Sequence, residues 1–334
     1  MAAPSTSKAS VVFAGGSALR ILRAAQSAGV RFQATTKGAC LPSRSPRLEQ
    51  VRSAIDLVEG MLAGLRLERP VTLLAGAGAH RSVEGLYAVS SCSAALPKGS
   101  LLRVAKGVFV CSPELAFLRE ASRGADDVEL LELGFELCGT YCSELTGPDG
   151  RYGVEPLATA RVLSSFARRN ERLQGAARAG RLAELVADRS ASPRETKLAL
   201  LVGLPLAKGG SGLGMPLMNH EVVANRQASL VAQRTSFRCD LCWPAHRVDV
   251  EYQSRLIHAN EASRIADSQR EKALRVMGGR VVAVTNEELD NVAGFEVIAR
   301  MLRKELGKDP RIRLADYYER RLALRAQLGL PISD

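Results

Sequence analysis

The stretch from Ser192 to Leu306 constrains the fold most, because the period of its apolar residues switches repeatedly between that of a helix and that of a strand. Ser192 to Leu204 reads as a helix, with Ser192 at the N-cap, Pro193 at the first helical position and Glu195 completing a capping box. A glycine-rich loop follows at Gly209 to Gly214. Phe237 to Cys242 and Arg247 to Gln253 predict two strands around a turn at Pro244-Ala245. Asn260 to Met277 predicts a helix stopped by Gly278-Gly279. Val281 to Thr285 predicts a further strand, and Val292 to Leu306 a closing helix. Helices alternating with strands in this way are the pattern of an α/β layered domain.

The preceding half is less regular and reads as a smaller α+β region over residues 1–150. Val11-Val12-Phe13 predicts a short strand, followed by a helix with Ser17 at its cap. Leu48 to Leu67 has helical spacing, and Pro70 introduces a strand over Val71 to Ala75. Gly76 and Gly78 follow that strand, but without a third glycine or an apolar helix start they predict a turn, not a dinucleotide loop. Leu86 to Val89 and Leu101 to Cys111 predict further strands. Ser112-Pro113-Glu114 opens a helix, and Asp126 to Leu137 predicts another. A basic helical connector is expected over 151–190, where Arg168, Arg169, Arg172, Arg178 and Arg181 either face solvent or contact phosphate. A folded α/β domain is expected over 191–308, and a C-terminal helix over 309–334 that packs on its own chain or on a partner.

Charge narrows the partners. Lys and Arg number 46 against 35 Asp and Glu, a net charge of +11. That excess favours a polyanion, most simply DNA. No apolar run approaches the roughly 18 residues a membrane helix needs, so a cytoplasmic protein without a membrane partner is expected. The seven cysteines are odd in number and unaccompanied by a hydrophobic signal segment, which argues for reduced thiols. No acid precedes Glu49, while basic residues run from Lys8 to Arg47. That start has two readings, a transit segment or an ordinary N-terminal subdomain, and the subdomain is preferred.

The strand Arg247 to Gln253 carries Val248, Val250 and Tyr252 on one face and Asp249, Glu251 and Gln253 on the other. If it pairs with the preceding strand, Asp240 and Glu251 approach each other. Two close carboxylates need a cation between them, and hard oxygen ligands suit Mg²⁺ or Mn²⁺. The alternative is that these acids face solvent and pair with Arg247 or Arg255. Glu195 is either a third acid of that site or simply a cap. Asp267 and Arg270 share a helix face and either pair with each other or point towards the acids. His258 would move protons near neutral pH. Cys239-x-x-Cys242, with Cys138 and Cys142, raises zinc, but a regular strand puts Cys239 and Cys242 on opposite faces, so packing thiols are expected instead.

Glu195, Asp240, the run Val250-Glu251-Tyr252-Gln253-Ser254, His258, Asp267, Arg270, Gly278 and Val281 to Thr285 together resemble the DUF559 group. That group is similar to the very short patch repair endonucleases of the PD-(D/E)XK superfamily. The resemblance implies a restriction-endonuclease-like mixed sheet flanked by helices, and metal-dependent cleavage of DNA phosphodiesters. It implies Asp240 and Glu251 as ligands of Mg²⁺ or Mn²⁺, Glu195 as supporting acid, Gln253 and His258 as catalytic groups, and Asp267 and Arg270 in support or DNA contact. Gln253 stands where the superfamily has Lys and this group often has Asp. The alternative is a DNA-binding regulator that has lost catalysis. Val108 to Glu114 resembles a segment of the AbiEi-type antitoxins and regulators, and Ser17 to Leu19 and Phe135 to Tyr141 resemble bacterial proteins that join such a region to a DUF559 domain, which implies a bacterial defence setting and a cognate toxin or defence protein as partner.

Overall fold

Val11, Val12 and Phe13 are all buried in the computed structural model, because the strand they form lies in the middle of a sheet covered on both faces. The structure describes residues 10–36, 41–143, 150–253, 261–309 and 311–333, leaving aside the side chains of 261–267. The chain divides into two compact units, Met1–Glu184 and Leu185–Asp334.

The first unit begins with β1 (Val11–Phe13), α1 (Gly15–Ser27), β2 (Gln33–Ala34) and α2 (Leu48–Met61). It continues with β3 (Val71–Gly76), β4 (Tyr87–Cys92), β5 (Leu101–Ala105) and β6 (Val108–Cys111). Next come α3 (Pro113–Arg123), α4 (Asp127–Cys138), the short pair β7 (Tyr141–Cys142) and β8 (Arg151–Tyr152), then α5 (Ala160–Arg169) and α6 (Ala176–Ala183). Six strands form one mixed sheet in the order β2-β5-β6-β1-β3-β4, with β1 parallel to β6 and β3 parallel to β4. Ser112 caps α3 through the Leu115 N–H, and Asp126 and Glu129 close a capping box on α4.

Two expectations for this unit change. Ser17 is not a cap: α1 starts at Gly15, and the buried Ser17 Oγ accepts the Thr72 N–H at 3.0 Å. The turn expected at Gly76 and Gly78 follows β3, and close approach adds a reason for the glycines, since a Cβ on either would press on the carbonyl of Pro42 or Ser43. The stretch expected as a connector divides at Glu184, and its helices α5 and α6 pack against α3 and α4 within the first unit. Arg178 there binds Asp127 at 2.8 Å and the Ala125 carbonyl, so it faces inward.

The second unit opens with α7 (Pro193–Gly203), β9 (Leu217–Val223), α8 (Arg226–Ala232), β10 (Ser236–Trp243) and β11 (Val248–Gln253). It closes with α9 (Glu261–Val276), β12 (Arg280–Thr285), α10 (Asn286–Asp290), α11 (Val292–Glu305) and α12 (Tyr317–Gln327). The four strands lie in the order β12-β11-β10-β9, with β11 and β12 parallel and the other pairs antiparallel. The chain is thus mixed α/β throughout. Strand β9 and helix α8 are additions to the sequence reading; β9 is an edge strand with Asn219, His220 and Glu221 in it, so it lacks a continuous apolar signal.

Helix α12 packs on its own unit through arginines turned inward. Arg321 is fully buried, and its Nη1 donates to the carbonyls of Leu201 and Gly209 while Nε donates to Glu296. Arg325 donates to the carbonyls of Leu289, Asp290 and Pro331. The Arg–Leu alternation of this helix therefore supplies a polar anchor to backbone carbonyls alongside apolar packing. Among the described residues, no helix is long and apolar enough to cross a membrane.

Candidate functional site

Glu195, Asp240 and Glu251 lie on α7, β10 and β11, with Asp267 on α9, and local irregularity in β10 decides how the first three meet. β11 pairs β10 only over Leu241–Trp243 and Val248–Val250. The next ladder position is taken by a side chain: Tyr252 N–H donates to Asp240 Oδ2 at 2.8 Å. On the other side of β10, the pairing with β9 skips Asp240 and Asn219, and Asn219 has φ +47°. A left-handed residue inside a strand breaks the regular alternation of faces.

Glu195 is held as a cap. Its backbone N–H donates to Ser192 Oγ at 3.1 Å, and its carboxylate accepts Ser192 Oγ–H at 3.0 Å and Ala191 N–H at 3.1 Å. It also accepts Asn219 Nδ2 at 2.7 Å, which ties α7 to β9. Asn219 Oδ1 accepts Arg238 Nε at 2.8 Å. Burial, and then the charge of Glu195, push the Asp240 carboxyl up to about 6. Capping and proximity to Asp240 thus coexist in Glu195.

Glu251 and Asp249 are each only 4% exposed. The expectation of solvent-facing acids does not hold for Glu251; Arg255 lies outside the described residues. Glu251 Oε2 lies 2.8 Å from Arg270 Nη2. Burial raises the Asp249 carboxyl as it does that of Asp240; the charge of Arg270 opposes the rise at both, alongside Arg238 at Asp240 and His220 at Asp249. Arg270 thus pairs with Glu251 and lies within charge reach of Asp240 and Asp249. The side chain of Asp267, the anticipated i,i+3 partner of Arg270, and the whole of His258 lie outside the described residues.

Gln253 shares a shallow pocket with Glu251, Ser268, Arg270 and Glu271. On the opposite face of β11, Tyr252 Oη donates to Asn286 Oδ1, and Arg194 clamps Asp290 through two bonds of 2.8 and 2.7 Å. That clamp holds the Asp290 carboxyl below its ordinary value.

The thiols differ from the sequence reading. Cys239 and Cys242 belong to one buried cluster with Phe237, Ala273 and Leu274, and both lie beside the Asp249 carboxyl. The break at Asp240 turns them to the same side. Burial raises both thiols, which keeps them protonated. Sequence reasoning missed Asp249 as a member of this group; its signal was an acid amid Val248 and Val250 in a strand covered on both faces.

Among the described residues, no group of three His, Cys, Asp or Glu side chains is arranged to hold a metal ion. Glu195 is bonded to its cap and Asn219, and Glu251 to Arg270. As arranged, this donor set does not fit Mg²⁺ or Mn²⁺, which needs several oxygens converging at 2.0–2.1 Å for Mg²⁺. No family model, no curated protein and no solved structure matches the chain.

Proposed function

We propose that the chain is a DNA-binding protein whose second unit is built on a restriction-endonuclease-like plan and holds its acids around an internal cation. The order α7, β9, β10, β11, α9 and β12, with the short helix α8 set between β9 and β10, and a sheet whose last two strands run parallel support that plan. The observation that carries the reading is Arg270. Its guanidinium pairs with the buried Glu251 and lies within charge reach of Asp240 and Asp249, where a nuclease of that plan would use a metal. Gln253, in place of a charged residue, fits the same reading. A net charge of +11 provides the attraction for a polyanion. A regulatory or antitoxin-like role follows from binding without cutting.

A second reading, Mg²⁺- or Mn²⁺-dependent hydrolysis of DNA, is favoured by Asp240. A buried carboxyl pushed up to about 6 beside Glu195 is one that an added cation would relieve.

Duplex binding followed by anisotropy across a salt series, together with plasmid cleavage in Mg²⁺ or Mn²⁺, tests both. The first reading expects affinity that falls steeply with salt and intact plasmid. Metal-dependent cutting that Asp240→Ala and Glu251→Ala each abolish would establish the second. Absence of salt-sensitive binding and of cutting would remove both.

A further inference from the structure

A cavity of about 210 Å³ opens in the first unit. It lies at the carboxyl ends of the parallel strands β3 and β4, lined there by Ala77, Ser91 and Ser93. Arg119 of α3 and Arg172, between α5 and α6, complete it from the helical side. Its volume is several times the roughly 30 Å³ of one water molecule.

Arg119 is 9% exposed, and its Nη2 donates to Ser90 Oγ at 2.7 Å and to the Ser91 carbonyl at 2.9 Å. These two bonds fix the plane of the guanidinium at the wall of the cavity. Its Nε is buried without an acceptor. Neither Arg119 nor Arg172 has an ion-pair partner among the described residues. A guanidinium does not shed its proton, and a buried charge without a counter-ion is costly. Arg119 is such a cation, and with the exposed Arg172 facing the same cavity and serine hydroxyls at its rim it calls for an anion with several acceptor oxygens. The planar fork of Arg matches a phosphate group, and the carboxyl ends of parallel strands are where α/β sheets receive ligands.

We propose that this cavity binds a phosphate group, as the free ion or as the terminal monoester of a nucleotide, through Arg119 and Arg172. Isothermal titration of the full chain with inorganic phosphate, AMP and adenosine, at ionic strength held constant with chloride, is the test. Saturable binding of phosphate or AMP, with adenosine silent, is the expected result. Phosphate binding with AMP silent identifies the free ion, and tighter AMP binding identifies the ester. Arg172→Ala, an exposed position outside the strand and helix ladders, weakens binding about tenfold and leaves the melting temperature unchanged. Arg119→Lys keeps the charge, loses the fork and weakens binding as well; if that variant does not fold, Arg172→Ala decides alone. Absence of saturable binding of both phosphate and AMP, or affinity unaltered in Arg172→Ala, overturns the proposal.

Discussion

Arg270 Nη2 stands 2.8 Å from Glu251 Oε2, joining α9 to a strand whose acid is almost entirely buried. The side chain of Arg270 retains 30% of its exposure and that of Glu251 only 6%, so the arginine carries solvent contact for the pair. An acid in this position folds at tolerable cost only with a cation beside it.

Arg270→Ala is therefore expected to destabilise the second unit by about 2 kcal/mol, below the range for a fully buried pair because Arg270 is partly solvated. Urea unfolding of the variant measures it. Arg270→Ala combined with Glu251→Gln recovers part of the loss, since the buried charge goes with its partner. Equal destabilisation by the single and double variants would contradict the pairing.

The difference between a regular and an irregular strand explains how much of this site was legible. Strand β11 alternates in sequence as it does in space, and Pro193, Ser192 and Glu195 announce α7 through local capping chemistry. The meeting of Asp240 with Tyr252 N–H, and of both thiols with Asp249, depends on the break opposite Asn219. Nothing in the residues around Asn219 announces a positive φ, because it is imposed by the bonds its amide makes to Arg189, Glu195 and Arg238. Arg270 reaches Glu251 only through tertiary packing, which i,i+3 spacing to Asp267 does not reveal.

Asn219 then yields a backbone test. Asn219→Gly keeps the left-handed conformation and loses the amide bonds; Asn219→Ala loses both. The alanine variant should be the less stable by about 1 kcal/mol. Thermal unfolding of the two side by side checks this, and equal stability would mean that the φ of +47° is not maintained in solution.

Gly209 and Gly210 sit where α12 and the end of α7 press on the glycine-rich loop. Gly209 has φ +79°, and a Cβ there would enter the Arg320 carbonyl; one on Gly210 would enter the Leu204 carbonyl. Both obstacles are backbone and cannot swing aside. Gly209→Ala and Gly210→Ala are each expected to cost more than the 1–3 kcal/mol (about) of ordinary overpacking, whereas Gly214→Ala, with open space around its Cβ position, bears only the cost of its positive φ. Denaturation midpoints of the three variants give the ranking.

Asp240 links stability to pH and to metal. Its carboxyl is raised from 3.8 to about 6 by burial and by Glu195, so the folded state binds a proton more tightly than the unfolded chain. The stabilising effect of that proton is complete below pH 4 and is lost as pH rises through about 6. Asp240→Asn removes the dependence while its Oδ1 can still accept the Tyr252 N–H, so the variant should exceed the parent in stability at pH 7 by about 1–2 kcal/mol. The two should converge towards pH 4. Melting curves between pH 4 and 8, with and without Mg²⁺, separate the two functional readings as well. If Arg270 is the resident cation, Mg²⁺ leaves both proteins unchanged. A rise in melting temperature with Mg²⁺ that is present in the parent and absent in Asp240→Asn would mean that the carboxylates take a metal, and hydrolysis would become the preferred reading.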